Sequence, residues 1–254
     1  MQQKLISVVV TVFNTEKYVE RCLKSLLSQT YSNLEIIVVN DCSSGNIEEL
    51  LQPLMREDNR IRYIRHEVNK GLFQARLSGA DLAQGAYIAF ADSDDYVSSN
   101  FYHGLLSSAE KHQSDIVVGQ TVIQKQNGDK IRYTLHDASF NFDQLNGRDV
   151  QEHYFDQKGH CYSWHTIWNK LYKKELWDRC RPYYDQISGH LIMTEDIAFS
   201  TPLFYFAQKV STVKNDCYFY CENTTAATNI EKISFERFSK NIHDMKQSDR
   251  KSVV

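Results

Sequence analysis

Short apolar runs alternate with helix-patterned stretches through the first half of this chain, and nothing else in the sequence restricts its fold as much. Leu5–Phe13 (LISVVVTVF), Leu34–Asn40 (LEIIVVN), Ile61–His66 and Tyr87–Ala91 (YIAFA) read as strands covered on both faces. Between them, residues 16–29 place Tyr18, Val19, Cys22, Leu23, Leu26 and Leu27 on one helical stripe. Residues 46–57 read as a second helix, and Leu72–Ala83 as a third with Leu72, Ala75, Ala80 and Ala83 facing inward. This alternation implies an α/β fold, a single Rossmann-like domain whose central, mostly parallel sheet is flanked by helices.

The pattern loosens further on. Residues 99–112 read as a helix, Asp115–Gly119 as a strand and Val122–Tyr133 as a hairpin turning at Asn127-Gly128. Residues 137–165 are mixed, polar and aromatic; 168–178 and 195–207 read as helices, Asp216–Cys221 (DCYFYC) as a strand, and 230–248 as a polar helical tail. We therefore expect one continuous domain in two parts, 1–119 and a more irregular 120–254.

Composition excludes several classes. The 254 residues are 42% hydrophobic and carry net charge −3 from 29 basic and 32 acidic side chains, so no basic surplus points to nucleic acid. No run is long enough to span a membrane. Leu5–Phe13 follows Lys4 with no small-residue cleavage site behind it, unlike a secretory leader. The six cysteines contain no Cys-x-x-Cys pair, so the expectation is reduced thiols and a cytoplasmic location. The charged end without a stop signal reads as a trimmed piece or one module of a longer chain.

Ligands of such sheets bind at the carboxyl ends of the strands. There the sequence places Thr11–Glu16, then Asn40-Asp41-Cys42-Ser43-Ser44, then Asp92-Ser93-Asp94-Asp95. Taken singly, Asn14 or Thr15 and Ser43 or Ser44 serve as helix caps. The acidic triplet either lies in a solvated turn or holds Mg²⁺ or Mn²⁺, hard ions that take one or two carboxylates plus substrate phosphates.

The segments ISVVVTVFNTEKYVERCLKSLLSQTYSNLEIIVVNDCSS and NKGLFQARLSGADLAQGAYIAFADSDD resemble the front of a family 2 glycosyltransferase of the GT-A fold, bacterial and inverting, over residues 4–97. The resemblance implies transfer of a sugar from a UDP-sugar to a hydroxyl of a glycan, lipid-linked or glycoprotein acceptor in surface polysaccharide or glycoprotein synthesis. Residues 1–119 would then be the nucleotide-sugar half and 120–254 the acceptor half. By the same resemblance, Thr11, Phe13 and Asp41 contact the uracil, with Glu16 nearby. An aromatic ring that stacks and a carboxylate that accepts a base N–H suit that task. Arg76 would face the diphosphate, and a surface helix arginine is the equally supported alternative. Asp92 and Asp94 match the DXD motif: Asp92 meets ribose or metal-bound water, Ser93 lies in the donor site, Asp94 holds Mn²⁺ or Mg²⁺, and Asp95 orients the others. Where the family has Asp-Gly-Ser, Cys42 replaces glycine, which strains the loop if a positive φ is required there.

Thr194-Glu195-Asp196 resembles the family's "ED" motif, with Asp196 the catalytic base and Glu195 beside it. The same residues also suit a helix's first turn. Trp164, Trp168 and Lys170 are candidates for the acceptor, and the aromatic pair is also suited to the core. The tail at 230–254 is read as a docking segment toward a partner, a second copy or the membrane face. Two rivals remain. A nucleotidyltransferase would need a Gly-rich basic loop after the first strand, where FNTEKY stands. A non-catalytic nucleotide-binding module is opposed by the intact acidic residues.

Overall fold

A computed structural model describes residues 3–133, 139–156, 162–187, 191 and 195–223. The first strands are β1 (Ile6–Val12), β2 (Leu34–Asn40), β3 (Ile61–Arg65) and β4 (Tyr87–Asp92). They pair in parallel in the order β3-β2-β1-β4. Every residue of β1 and β2 is buried, which is why these runs carry no polar alternation. Val9, Ile37 and Phe90 enter one core while Val8, Val10, Ile36 and Val38 enter the other, so successive residues feed opposite faces.

Helices α1 (Val19–Leu27), α2 (Ile47–Glu57) and α3 (Leu72–Asp81) connect these strands. Gly79 explains how closely α3 approaches the sheet, because a β-carbon there would stand 2.3 Å from Val9 Cγ1. Two helix starts differ from expectation. The backbone turns left-handed at Asn14 (φ 55°), a conformation its side chain tolerates, and α1 begins at Val19 rather than near Glu16. The cap of α2 is Asn46, whose side chain accepts from Glu49 N, so Ser43 and Ser44 are left for another task.

Beyond β4 come β5 (Tyr96–Val97), α4 (Phe101–His112), β6 (Ile116–Gln124), β7 (Lys130–Arg132) and β8 (Gln144–Asn146). Then follow α5 (Arg148–Asp156), α6 (Tyr162–His165), β9 (Lys170–Lys173), α7 (Lys174–Tyr184), α8 (Glu195–Phe206) and β10 (Lys209–Cys221). The expected helix over 168–178 is corrected by β9. This short strand lies between β4 and β6, antiparallel to both, and the helix starts only at Lys174. A run of four residues inside a sheet carries no periodicity that distinguishes strand from helix. β10 extends well before Asp216 because it pairs with β6 from Val210 onward, with a register shift between Thr212 and Cys217. One mixed sheet thus joins both parts of the chain, and β6 runs across residue 119. Among the described residues no helix is long and apolar enough to cross a membrane. The tail at 230–254 lies outside the described residues.

Candidate active site

The carboxyl ends of β1, β2 and β4 are tied to one another by side chains. Ser43 Oγ accepts from Asn14 N at 3.0 Å, and Asn14 Oδ1 accepts from Ser44 N at 2.9 Å. Thr15 and Ser93 share a hydroxyl–hydroxyl hydrogen bond of 2.7 Å. Cys22 Sγ donates to the Asp92 carbonyl at 3.6 Å. The three polar clusters therefore form one rim.

On that rim, Thr11 is buried while Phe13 is 50% exposed. Glu16 lies against Gly45, where a β-carbon would meet Glu16 Oε1 at 2.5 Å, and among the described residues that buried oxygen has no hydrogen-bond partner. Asp41 is buried and held by the loop after β3: its Oδ1 accepts from His66 Nδ1 (2.7 Å) and Lys70 N (2.9 Å), and its Oδ2 from Gly71 N (2.8 Å). Cys42 does adopt a positive φ, of 63°.

The acidic turn is not a solvated loop. Asp95 is buried and accepts from Cys221 N at 2.8 Å. Asp94 Oδ2 accepts from Asn223 Nδ2 at 2.9 Å, and its carbonyl accepts from Arg21. Burial, and then the charge of Asp92, push Asp94 above the usual carboxylate range; burial with Asp94 and Asp92 pushes Asp95 well above it.

Arg76 is the hub. Rather than facing an open diphosphate cleft, its guanidinium is 1% exposed and clamps three carboxylates. Nη2 donates to Asp92 Oδ1 at 2.8 Å, while Nη1 donates to Asp196 Oδ1 at 2.6 Å and to Glu195 Oε1 at 3.2 Å. Burial alone would lower the Arg76 pKa, and Asp92, Asp196 and Glu195 overcome that and raise it. Burial raises Glu195 well above its ordinary value, with Asp196 adding to the effect; it also raises Asp196, against the pull of Arg76. The first turn of α8 is thereby fixed beside the end of β4.

Two acceptor candidates are corrected. Trp164 is fully buried among Phe140, Phe142, Tyr154 and Phe204, so no ring face is open to a sugar. Lys170 is also fully buried, and its ammonium donates to the carbonyls of Ser163 and Thr166 and to Asn169 Oδ1. Trp168, largely buried, packs on Tyr218 and Tyr220 near the acidic turn. Sequence reasoning missed His66, Arg21 and Asn223. Their partners lie 25, 73 and 129 residues away, and no local spacing reports such contacts.

The donor chemistry around Asp92 and Asp94 is hard oxygen. Among the described residues no group of three His, Cys, Asp or Glu side chains forms a metal cage. Two carboxylates without a full cage suit Mg²⁺ or Mn²⁺ shared with phosphate oxygens, and do not suit a structural zinc.

Residues 7–176 match the family model described as glycosyl transferase family 2. An uncharacterized glycosyltransferase of Bacillus subtilis (strain 168), EpsJ, is 34% identical over 226 residues, which cover 89% of this chain and 63% of EpsJ. The chain therefore spans less than two thirds of that relative's length. GlyG, a glycosyltransferase of Streptococcus pneumoniae serotype 4, is 29% identical over 95% of this chain and 80% of its own. In fold, S. aureus TarS 1–349, crystallised with UDP-GlcNAc, superimposes with a TM-score of 0.73 at 21% identity, covering 97% of this chain and 66% of that 1–349 fragment.

Proposed function

The chain belongs to glycosyl transferase family 2, and from that premise we propose that it moves a sugar from a UDP-sugar to a hydroxyl of a glycan, lipid-linked or glycoprotein acceptor, with inversion at the anomeric carbon. The observation that carries this reading is the Arg76 clamp, which holds Asp92 at the end of β4 and Asp196 on α8 around one guanidinium. Inverting transfer needs a base on the face opposite the leaving group.

In this reading the exposed Phe13 ring stacks on the base and Asp41 accepts its N–H. Asp92 and Asp94 would hold a divalent cation, which would supply neutralising charge to the diphosphate. Asp196 takes the acceptor proton on the oxygen that Arg76 does not hold. Burial has already raised its proton affinity, which suits a base. The acceptor oxygen bonds to the anomeric carbon as the bond from that carbon to UDP breaks, and UDP leaves with the electron pair. Arg76, enclosed by carboxylates, orients Asp196 instead of meeting phosphate itself.

The test is release of UDP from a panel of UDP-sugars, with and without Mn²⁺ and candidate acceptors. Turnover with one sugar is expected. Asp196→Ala should lose about 10²–10⁴-fold in turnover yet retain UDP binding, whereas Asp94→Ala should lose both turnover and Mn²⁺-dependent UDP binding. An active Asp196→Ala protein removes that residue from the base role. Tight UDP binding with no turnover on any sugar would favour a binding module.

A further inference from the structure

A carboxylate offers about four lone-pair directions. At Asp41, three are taken by His66 Nδ1, Lys70 N and Gly71 N, which leaves one, on Oδ2, among the described residues. Asp41 is 3% exposed, so this remaining direction is set by the donors that hold the group. Two of those donors come from the turn that ends at Gly71. Its φ of 87° favours glycine and aims consecutive N–H groups at the carboxylate.

The third donor has its own support. His66 Nε2 stands 3.0 Å from Ser78 Oγ on α3. Asp41 Oδ1 can only accept, so Nδ1 carries hydrogen, and the Ser78 hydroxyl faces the opposite ring nitrogen. His66 is itself buried, and its ring is fixed at both ends. The order Ser78–His66–Asp41 is that of a hydrolase triad. Ser78, however, sits inside α3, where neighbouring N–H groups are engaged in the helix and form no oxyanion hole. The relay therefore orients Asp41.

We propose that His66, backed by Ser78, is a positioning residue that holds Asp41 with one acceptor directed at the nucleobase, and so makes the donor site selective for uracil over cytosine. This rests on the reading that Asp41 meets the base. Uracil presents a ring N–H to such an acceptor; cytosine presents a lone pair, which an ionised carboxylate repels. Sites that reject a base by an unmatched polar group discriminate strongly.

The experiment measures UDP and CDP affinity by calorimetry, with Mn²⁺ present, together with kcat and KM for the UDP-sugar. It compares the wild type with His66→Gln, His66→Asn and Ser78→Ala, each checked for folding by thermal melting. An asparagine amide nitrogen takes the place of Nδ1, whereas a glutamine amide takes the place of Nε2. His66→Gln should weaken UDP by about tenfold, narrow the UDP/CDP ratio and raise KM more than it lowers kcat. His66→Asn should recover most of that ratio, and Ser78→Ala should narrow it by about twofold to threefold. A folded His66→Gln protein with the wild-type ratio overturns the proposal, as do equal losses in the Asn and Gln variants. If His66→Gln does not fold, an unchanged ratio in Ser78→Ala overturns it. A wild type with no preference for UDP over CDP overturns the reading of Asp41 instead, so the two failures are distinguishable.

Discussion

Two single residues carry consequences that can be measured apart from catalysis. Cys42 holds φ at 63°, where an L side chain costs roughly 1–2 kcal/mol. Among the described residues its thiol gains only a 3.4 Å contact with the Glu67 carbonyl in return. Cys42→Gly relieves that strain but adds freedom to the unfolded chain, so the expected net gain is about 0.5–1 kcal/mol. A melting temperature about 2 °C higher would report it, and a lower one would show that the loop is not strained at this position. His165 is the second. Burial, and then the nearby charge of Lys170, push its imidazole from 6.5 down to about 4. The ring shares a 2.9 Å hydrogen bond with Tyr154. Because the folded pKa lies below the unfolded one, the unfolded chain binds the extra proton. The contribution is complete above about pH 6.5 and is lost as pH falls toward 4. Its size is up to about 3 kcal/mol. Urea denaturation at pH 7 and pH 5 should show the loss, and His165→Gln should flatten it.

At the scale of elements, Arg76 links α3 to the end of β4 and to the first turn of α8. Arg76→Leu would leave Asp92, Glu195 and Asp196 near one another without the guanidinium that clamps them, and removing one partner of a buried ion cluster costs about 3–5 kcal/mol. Denaturant midpoints should fall accordingly, and Glu195→Gln in the Arg76→Leu background should recover part of the loss by removing a buried charge; a full additive loss would mean that the carboxylates are not coupled. This clamp marks where sequence reading ends. Asp92 and Asp94 were legible because they follow a strand whose apolar run is unmistakable, and Glu195 and Asp196 because they open an apolar helix. That one arginine joins Asp92, Glu195 and Asp196 was not legible, since the contacts span 16 to 120 residues. The same limit explains β9. Leu171 and Tyr172 show their strand character only through pairing with β4 and β6. Trp164 and Lys170 read as binding residues in the sequence for the same reason, because it does not display their burial.

At the scale of the whole molecule, the parallel half of the sheet delivers three loops to one rim, and ligand binding there should be cooperative. The rim offers a cation two carboxylates and no full protein cage among the described residues. Mn²⁺ alone should therefore bind weakly, and its remaining ligands should come from a diphosphate. UDP alone would bring negative charge next to Asp92, Asp94 and Asp95, where burial first, and then the neighbouring carboxylates, already raise Asp94 and Asp95. Each ligand thus supplies what the other lacks, and by linkage each tightens the other equally. Thermal melts with Mn²⁺, with UDP and with both should show a joint rise larger than the two separate rises added together, since stabilisation follows RT ln(1 + [L]/Kd). Asp94→Asn should abolish the excess while leaving the small UDP-only rise. Additive shifts, or an excess that survives Asp94→Asn, would mean that the cation binds elsewhere, and the acidic turn would then serve only the fold.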